Sequence, residues 1–397
     1  MSERYDTVVN REQELFMPGV RRWPLVLVRG EGSRIWDADG AEYIDLMAGW
    51  GVNCLGHAHP GLADAISDQA RTLMQTTNAV YSEPQLDLAK RLADIMPTSI
   101  HRAFFISSGA EANEGALKLA HRSTGRKRYV ATINSFHGRT LGAMSVLGQQ
   151  KYRDRWSDIL IENTFVPYGD LAAAKAALGD DVAAMILEPV QGEGGVVIPP
   201  EGYLVALASA CHEVGALLIL DEVQTCIGRT GRWMAMEHSG VEPDIVTLGK
   251  GIGGGVPLAA FMATDAVMSS IEPGDHGGTY AGNLLACRAG ATVLRVIREE
   301  GLVERAAQLG DHVIERFEAL AARCPDKVEE VRGAGLLVGL VLRDAAFAAE
   351  MHPKTRDRGV LVNLTADRVV RIFPALNIPQ DQLDQGLDVI EKLVEAG

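Results

Sequence analysis

The chain has 397 residues, with 38 basic and 52 acidic side chains, a formal net charge of −14, 47% hydrophobic residues and five cysteines. That hydrophobicity excludes wholesale disorder, and the length allows two or three domains whose core needs no disulfide or metal staple. The acidic balance argues against a general nucleic-acid or anionic-membrane binder, which wants clustered positive charge, but it leaves room for local cationic pockets.

Cys54, Cys211, Cys226, Cys287 and Cys324 form no C-x-x-C pair and are odd in number, so a reduced, cytoplasmic setting is expected. No apolar leader follows the first residues, and no apolar run approaches the roughly 18 residues of a membrane span. In chain order, strand-like runs at 25–29 and 33–37, broken by Gly30 and Gly32 and followed by Asp39-Gly40, predict a small hairpin in an N-terminal arm over residues 1–50. Over residues 51–285, apolar runs at 103–106, 128–131, 183–187, 216–220, 245–248 and 258–263 alternate with amphipathic stretches such as 85–95, 111–122 and 203–214. This alternation predicts an α/β domain with a mostly parallel sheet covered on both faces. Over 286–397 the pattern changes. A long helical region at 286–324 precedes strands at 328–332, 336–342, 360–363 and 369–373, a helix around 345–358 and a last helix near 380–395, together a smaller α+β domain.

Several segments carry residues suited to chemistry. Ser107-Ser108-Gly109-Ala110-Glu111-Ala112-Asn113 follows a strand and opens a helix, which fits an anion site or a Ser-capped turn. The apolar run ending in Asp221-Glu222-Val223-Gln224 puts a carboxylate at a strand's C-terminal end, either at a ligand crevice or as a cap. Gly249, Gly251 and Gly254 satisfy the dinucleotide spacing, but a strand-like run follows instead of a helix; Gly251 after Lys250 also excludes a Walker A loop. What remains is one lysine held among glycines. Phe136-His137-Gly138-Arg139-Thr140 sets an aromatic ring beside an arginine, and Glu188-Pro189-Val190-Gln191-Gly192-Glu193-Gly194-Gly195 follows another strand. His57 and His59 lack a third ligand at a recognisable spacing, so no metal is expected.

In their order along the chain, these five segments resemble the class III pyridoxal-phosphate aminotransferases, closest to the acetylornithine/ornithine group, from about residue 25 to the C-terminus. The resemblance implies a fold-type-I architecture: a large domain with a seven-stranded, mostly parallel sheet, and a small domain built from both chain ends. It implies that Lys250 carries the cofactor and moves the substrate proton, that Asp221 pairs with the pyridinium nitrogen, and that Phe136 and Val223 face the ring. Gln224 would lie near the 3′-oxygen, and Ser108, Gly109 and Ala110 would cradle the phosphate. Thr279 matches a threonine that reaches the phosphate of the neighbouring subunit, implying a homodimer with shared sites. Arg371 would grip the carboxylate of 2-oxoglutarate or glutamate, Glu193 would mask that arginine when an ω-amino donor binds, and Arg139 would hold the donor's distal carboxylate.

The implied reaction moves the terminal amine of N-acetyl-L-ornithine to 2-oxoglutarate. Three positions depart from the family's usual pattern. Val20 stands where a donor-orienting tyrosine is usual, Trp50 occupies a variable pocket wall, and Leu284 replaces a proline. Succinylornithine, ornithine, 4-aminobutyrate and diamines therefore stay open as donors. A nicotinamide-dependent oxidoreductase built on Gly249–Gly254 is the remote alternative.

Overall fold

The computed structural model describes residues 3–397, so the first two residues of the expected N-terminal arm lie outside the described residues. A helix, Glu3–Leu15, leads into three antiparallel strands, β1 (Leu27–Glu31), β2 (Arg34–Asp37) and β3 (Glu42–Asp45). The expected hairpin is β1–β2, and β3 is an additional strand.

The central sheet has seven strands: β4 (Ile100–Ile106), β5 (Arg128–Thr132), β6 (Thr164–Val166), β7 (Val182–Leu187), β8 (Leu217–Asp221), β9 (Ile245–Leu248) and β10 (Ala259–Thr264). Their spatial order is β4-β10-β9-β8-β7-β5-β6. Only β10 runs against the others, pairing antiparallel with both β4 and β9. Strands β7 and β9 are buried along their whole length, and β8 and β10 nearly so, as their apolar runs require when helices cover both faces. On one face the helix Gly109–Thr124 lays Ala112, Ala116, Leu119 and Ala120 against Ile219, Ile245 and Phe261. Gly115 lets it come close, because a Cβ there would stand 2.3 Å from the Phe261 ring.

The remaining strands are β11 (Val328–Ala334), β12 (Leu337–Leu342), β13 (Val360–Leu361), β14 (Asn363–Thr365) and β15 (Val369–Ile372). Four form an antiparallel sheet in the order β11-β12-β15-β14, whereas β13 pairs in parallel with β3 and joins the C-terminal chain to the N-terminal strands. The single run expected at 360–363 is thus two strands in different sheets. The long helix expected at 286–324 is two, Leu284–Glu299 and Leu302–Arg323, separated where Gly301 turns left-handed at φ +62°. Arg316 fastens the second to the last helix, Gln380–Ala396, through Asp384, Asp388 and Glu391 at 2.6–3.0 Å.

Gly310, in the helix Leu302–Arg323, meets the β11–β12 turn so closely that a Cβ would lie 2.2 Å from Gly335 O. Backbone cannot swing aside, so Gly310→Ala is expected to lose about 1–3 kcal/mol of stability through overpacking. Chemical denaturation checks this; an unchanged or raised midpoint, as alanine's helix propensity alone would give, contradicts it.

Candidate active site

Because six strands of the central sheet point the same way, the loops after β4, β5, β7, β8 and β9 gather at one edge, where open α/β sheets bind ligands. Asp221 ends β8 there and is 3% exposed. Its Oδ2 accepts from Asn113 Nδ2 and His137 Nδ1, each at 2.7 Å, and its Oδ1 accepts from the Val223 N–H at 2.9 Å. A carboxylate only accepts, so His137 Nδ1 carries the proton. Asn113 is fixed in turn, donating also to His137 O at 2.7 Å and accepting from Thr247 Oγ1 at 2.8 Å. Three of the roughly four lone-pair directions of Asp221 are filled, and one on Oδ1 remains.

Lys250 follows β9 with φ +45°, a left-handed conformation costly for a side chain with a Cβ. Burial pushes its ammonium below the ordinary lysine range and Arg371 adds to this, against Glu193, Glu188 and Asp221. Val223 wedges beside the lysine loop: a Cβ on Gly109 would lie 2.7 Å from its Cγ1, and one on Gly249 would lie 3.1 Å away. Ser108 caps the helix Gly109–Thr124, accepting the Glu111 N–H at 3.3 Å while its hydroxyl donates to Glu111 Oε2 at 2.9 Å. Among the described residues the N–H groups of Gly109 and Ala110 form no bond, so they are open to an anion at a positive helix end.

Arg371, on β15, is wholly buried. Its Nη1 donates to Glu193 Oε1 at 2.7 Å and Gln224 Oε1 at 2.8 Å, while Nε and Nη2 have no partner. Gln224 Nε2 closes the triangle by donating to Glu193 Oε1 at 3.3 Å. Both the oxygen and the nitrogen of the Gln224 amide are therefore engaged with the arginine pair, and one N–H of the amide remains. Burial raises the Glu193 carboxyl, but Arg371 and Lys250 outweigh it and hold the group below the ordinary glutamate range. Glu188, 3% exposed, accepts the Phe136 N–H at 3.1 Å and the Gly192 N–H at 3.2 Å, tying the aromatic loop to the Glu193 loop. Burial, with Asp221 adding to it, pushes its carboxyl up to about 7.

The other expected residues stand further out. The exposed Arg139 guanidinium stacks 4.1 Å from the Tyr152 ring centroid and 5.9 Å from that of Phe136. Trp50 lies in a short left-handed turn, where Ala48, Gly49, Trp50 and Gly51 have φ of 46°, 60°, 60° and 79°. That turn displays the indole while Gly51 packs on Phe373, two residues from Arg371. Val20 is exposed. Thr279 is exposed in a loop, where its carbonyl accepts from Gln75 Nε2 at 2.7 Å. His57 and His59 serve turns: His57 Nε2 lies 2.8 Å from Asp45 Oδ2, and His59 caps the helix Pro60–Thr72.

Residues 16–394 match the family described as aminotransferase class-III. The chain belongs to that family. It is 44% identical over 389 residues to the acetylornithine aminotransferase of Methanothermobacter thermautotrophicus, covering 98% of both chains. Among solved structures it is similar to the acetylornithine aminotransferase of Elizabethkingia anophelis, with a TM-score of 0.89 and 31% identity over all of both chains. It is also similar to the ornithine aminotransferase of Toxoplasma gondii, with a TM-score of 0.93 and 31% identity over 100% of this chain and 95% of the other. That structure is described as having pyridoxal phosphate at partial occupancy at its active site. The enzyme is a pyridoxal-phosphate-dependent transferase, and its residues fit that group. Asp221 keeps one acceptor direction free, Lys250 Nζ has no hydrogen-bond partner among the described residues, and the Gly109–Ala110 N–H groups are open to an anion.

Sequence reasoning missed the role of His137 and Asn113 as holders of Asp221, that of Thr247 behind them, and Tyr152 beneath Arg139. The one available signal was a polar Asn113 among the alanines of a buried helix face. Glu188 supplies a pH test. Its carboxyl is raised from an ordinary 4.5 to about 7, so its contribution to stability is full below pH 4.5 and is lost as pH rises towards 7. Glu188→Gln, which does not titrate, should therefore gain stability relative to the unsubstituted enzyme between pH 5 and 7.5, followed by denaturation at each pH. A constant difference across that range contradicts the assignment.

Proposed function

We propose that this aminotransferase moves the terminal amine of N-acetyl-L-ornithine, or a close ω-amino donor, to 2-oxoglutarate, giving the semialdehyde and L-glutamate. The observation that carries the reading is Arg371: one nitrogen shared by Glu193 and Gln224, the opposite edge unpartnered, and the whole side chain buried. One pocket must accept in turn a donor with no carboxylate at its reacting end and an acceptor that has one there. With the donor, Glu193 neutralises Arg371. With 2-oxoglutarate, the substrate carboxylate takes that role on the planar guanidinium.

Pyridoxal phosphate, when bound, supplies the electron sink for the carbon that loses its proton. Lys250 Nζ holds the cofactor and moves that proton, a task helped by its lowered basicity. Asp221 would hold positive charge on the ring nitrogen, Phe136 and Val223 would face the ring, and Ser108, Gly109 and Ala110 would receive the phosphate. Gln224 acts near the 3′-oxygen and steadies Arg371. Arg139, aligned on Tyr152, takes the donor's distal carboxylate, with Trp50 and Val20 as pocket walls.

Residues 51–285 form the large domain, with 1–50 and 286–397 contributing the small one, a division supported by the β3–β13 pairing. A homodimer with shared sites is supported by exposed Val80, Tyr81 and Leu86, which line a groove of about 590 Å³ together with Gly282, three positions from Thr279. A second copy of the chain is its occupant, and Thr279 reaches that copy's phosphate. Five unpaired, buried cysteines support a cytoplasmic setting. No helix among the described residues is long and apolar enough to cross a membrane.

A donor panel with 2-oxoglutarate tests the substrate: kcat/KM should be highest for N-acetyl-L-ornithine, and a clear preference for ornithine or 4-aminobutyrate overturns the donor. Arg371→Ala should raise the 2-oxoglutarate KM by about a hundredfold through loss of charge-assisted bonds, with the donor KM much less affected. Unchanged acceptor kinetics would place the carboxylate elsewhere.

A further inference from the structure

The loop that carries Thr279 runs between the short helix Asp265–Met268 and the helix Leu284–Glu299 with no strand or helix of its own. Gly277 and Gly278 stand directly before the threonine. Two glycines leave a chain much freedom, so a threonine needed at one point in space requires a fixed corner just ahead of it. That corner exists at Asp275-His276. Lys118 Nζ donates to Asp275 O at 3.0 Å and to His276 Nδ1 at 3.1 Å. An ammonium has no lone pair, so His276 Nδ1 accepts and the imidazole is neutral. Burial, reinforced by Lys118, pushes the imidazole's pKa down, which agrees with this state.

Other contacts complete the corner. The His276 ring packs edge-on against Phe104 and Phe261, with centroids 4.9 and 5.4 Å away. Arg122, one turn beyond Lys118, donates to Asp275 Oδ2 at 3.4 Å, and the same oxygen accepts the Glu272 N–H at 3.0 Å. Lys118 is exposed, and among the described residues its hydrogen bonds go only to this loop. Neither the chemistry at Lys250 nor the core of the large domain uses it. Both Lys118 and Arg122 stand on the helix Gly109–Thr124, whose first turn is the phosphate cradle proposed above.

We infer that Lys118 is a positioning residue for the neighbouring subunit's cofactor: by fixing the Asp275-His276 corner it holds Thr279 within reach of that phosphate. Because it stands on the helix that opens at Ser108–Ala110, it also joins the two phosphate sites of the dimer through one rigid element. The inference rests on the reading of Thr279 as a shared phosphate ligand.

The test is the dissociation constant of pyridoxal phosphate, from titration of apoenzyme followed by absorbance, for Lys118→Met, Lys118→Arg, Thr279→Val and the Lys118→Met/Thr279→Val pair. Lys118→Met should weaken binding about three- to tenfold, the worth of one or two exposed charge-assisted bonds, with the apoenzyme's melting midpoint and dimer mass unchanged. Lys118→Arg should recover most of the loss. The double variant should bind no worse than Thr279→Val alone, since the lysine acts through the threonine. If Thr279→Val weakens binding and Lys118→Met does not, or if the two losses add, Lys118 has no such role. If Thr279→Val binds as tightly as the unsubstituted enzyme, the shared-phosphate reading itself falls, and the role of Lys118 with it.

Discussion

A carboxylate taken out of water must be hydrogen-bonded on nearly every lone pair, and the functional edge of this molecule is organised around one such group, Asp221. Its partners come from three separate places: Asn113 in the helix after β4, His137 in the loop after β5, and Val223 just beyond β8 itself. Thr247 on β9 holds Asn113 from behind. Four strand ends are thereby brought into register by one anion. Val223, placed by that bond, then fills the space that Gly109 and Gly249 leave open, setting the gap between the helix N-terminus at Gly109 and the lysine loop.

A second charged cluster sits across from the first. Arg371, Glu193 and Gln224 form a closed triangle, in which Arg371 comes from the C-terminal sheet and the other two from the loops after β7 and β8. Arg332 on β11 grips Gly195 O at 2.8 and 3.0 Å, and Thr365 on β14 donates to Glu193 O at 2.8 Å, so the Glu193 loop is clasped from that side. Behind Arg371, the buried Arg229 donates to Leu336 O and Pro374 O, and both guanidiniums lie over the Phe373 ring. Burial lowers the basicity of Lys250, and charges of both clusters modify it, Glu193, Glu188 and Asp221 opposing the shift and Arg371 adding to it.

Much of this was legible in the sequence, for physical reasons. Strands β7 to β10 are buried on both faces, so they read as unbroken apolar runs; β6 has only three residues and β3 ends in Asp45, too little pattern to register. The break at Gly301 was hidden because both flanking helices keep an apolar stripe, and one left-handed glycine does not interrupt composition. At the site, Asp221 ends an apolar strand and Lys250 stands two residues beyond another, among glycines, so both stand out in the sequence. The jobs of Asn113, His137 and Thr247 were not, since their partners lie 24 to 134 positions away and only folding reveals them. Gln224 was expected to serve the cofactor, and its commitment to Arg371 likewise appears only in three dimensions.

The account stands or falls on Asp221 acting as a fixed anion towards the ring nitrogen rather than as one more buried hydrogen-bond hub. Replacing it with asparagine keeps the size and most of the bonding capacity while removing the charge. The rate of the single-turnover half-reaction between cofactor-loaded Asp221→Asn and amino donor measures the consequence directly. The rate should fall by about a hundredfold or more, as when a fixed charge is removed from a reacting centre, with cofactor still bound. A rate within about threefold of the unsubstituted enzyme would contradict the account.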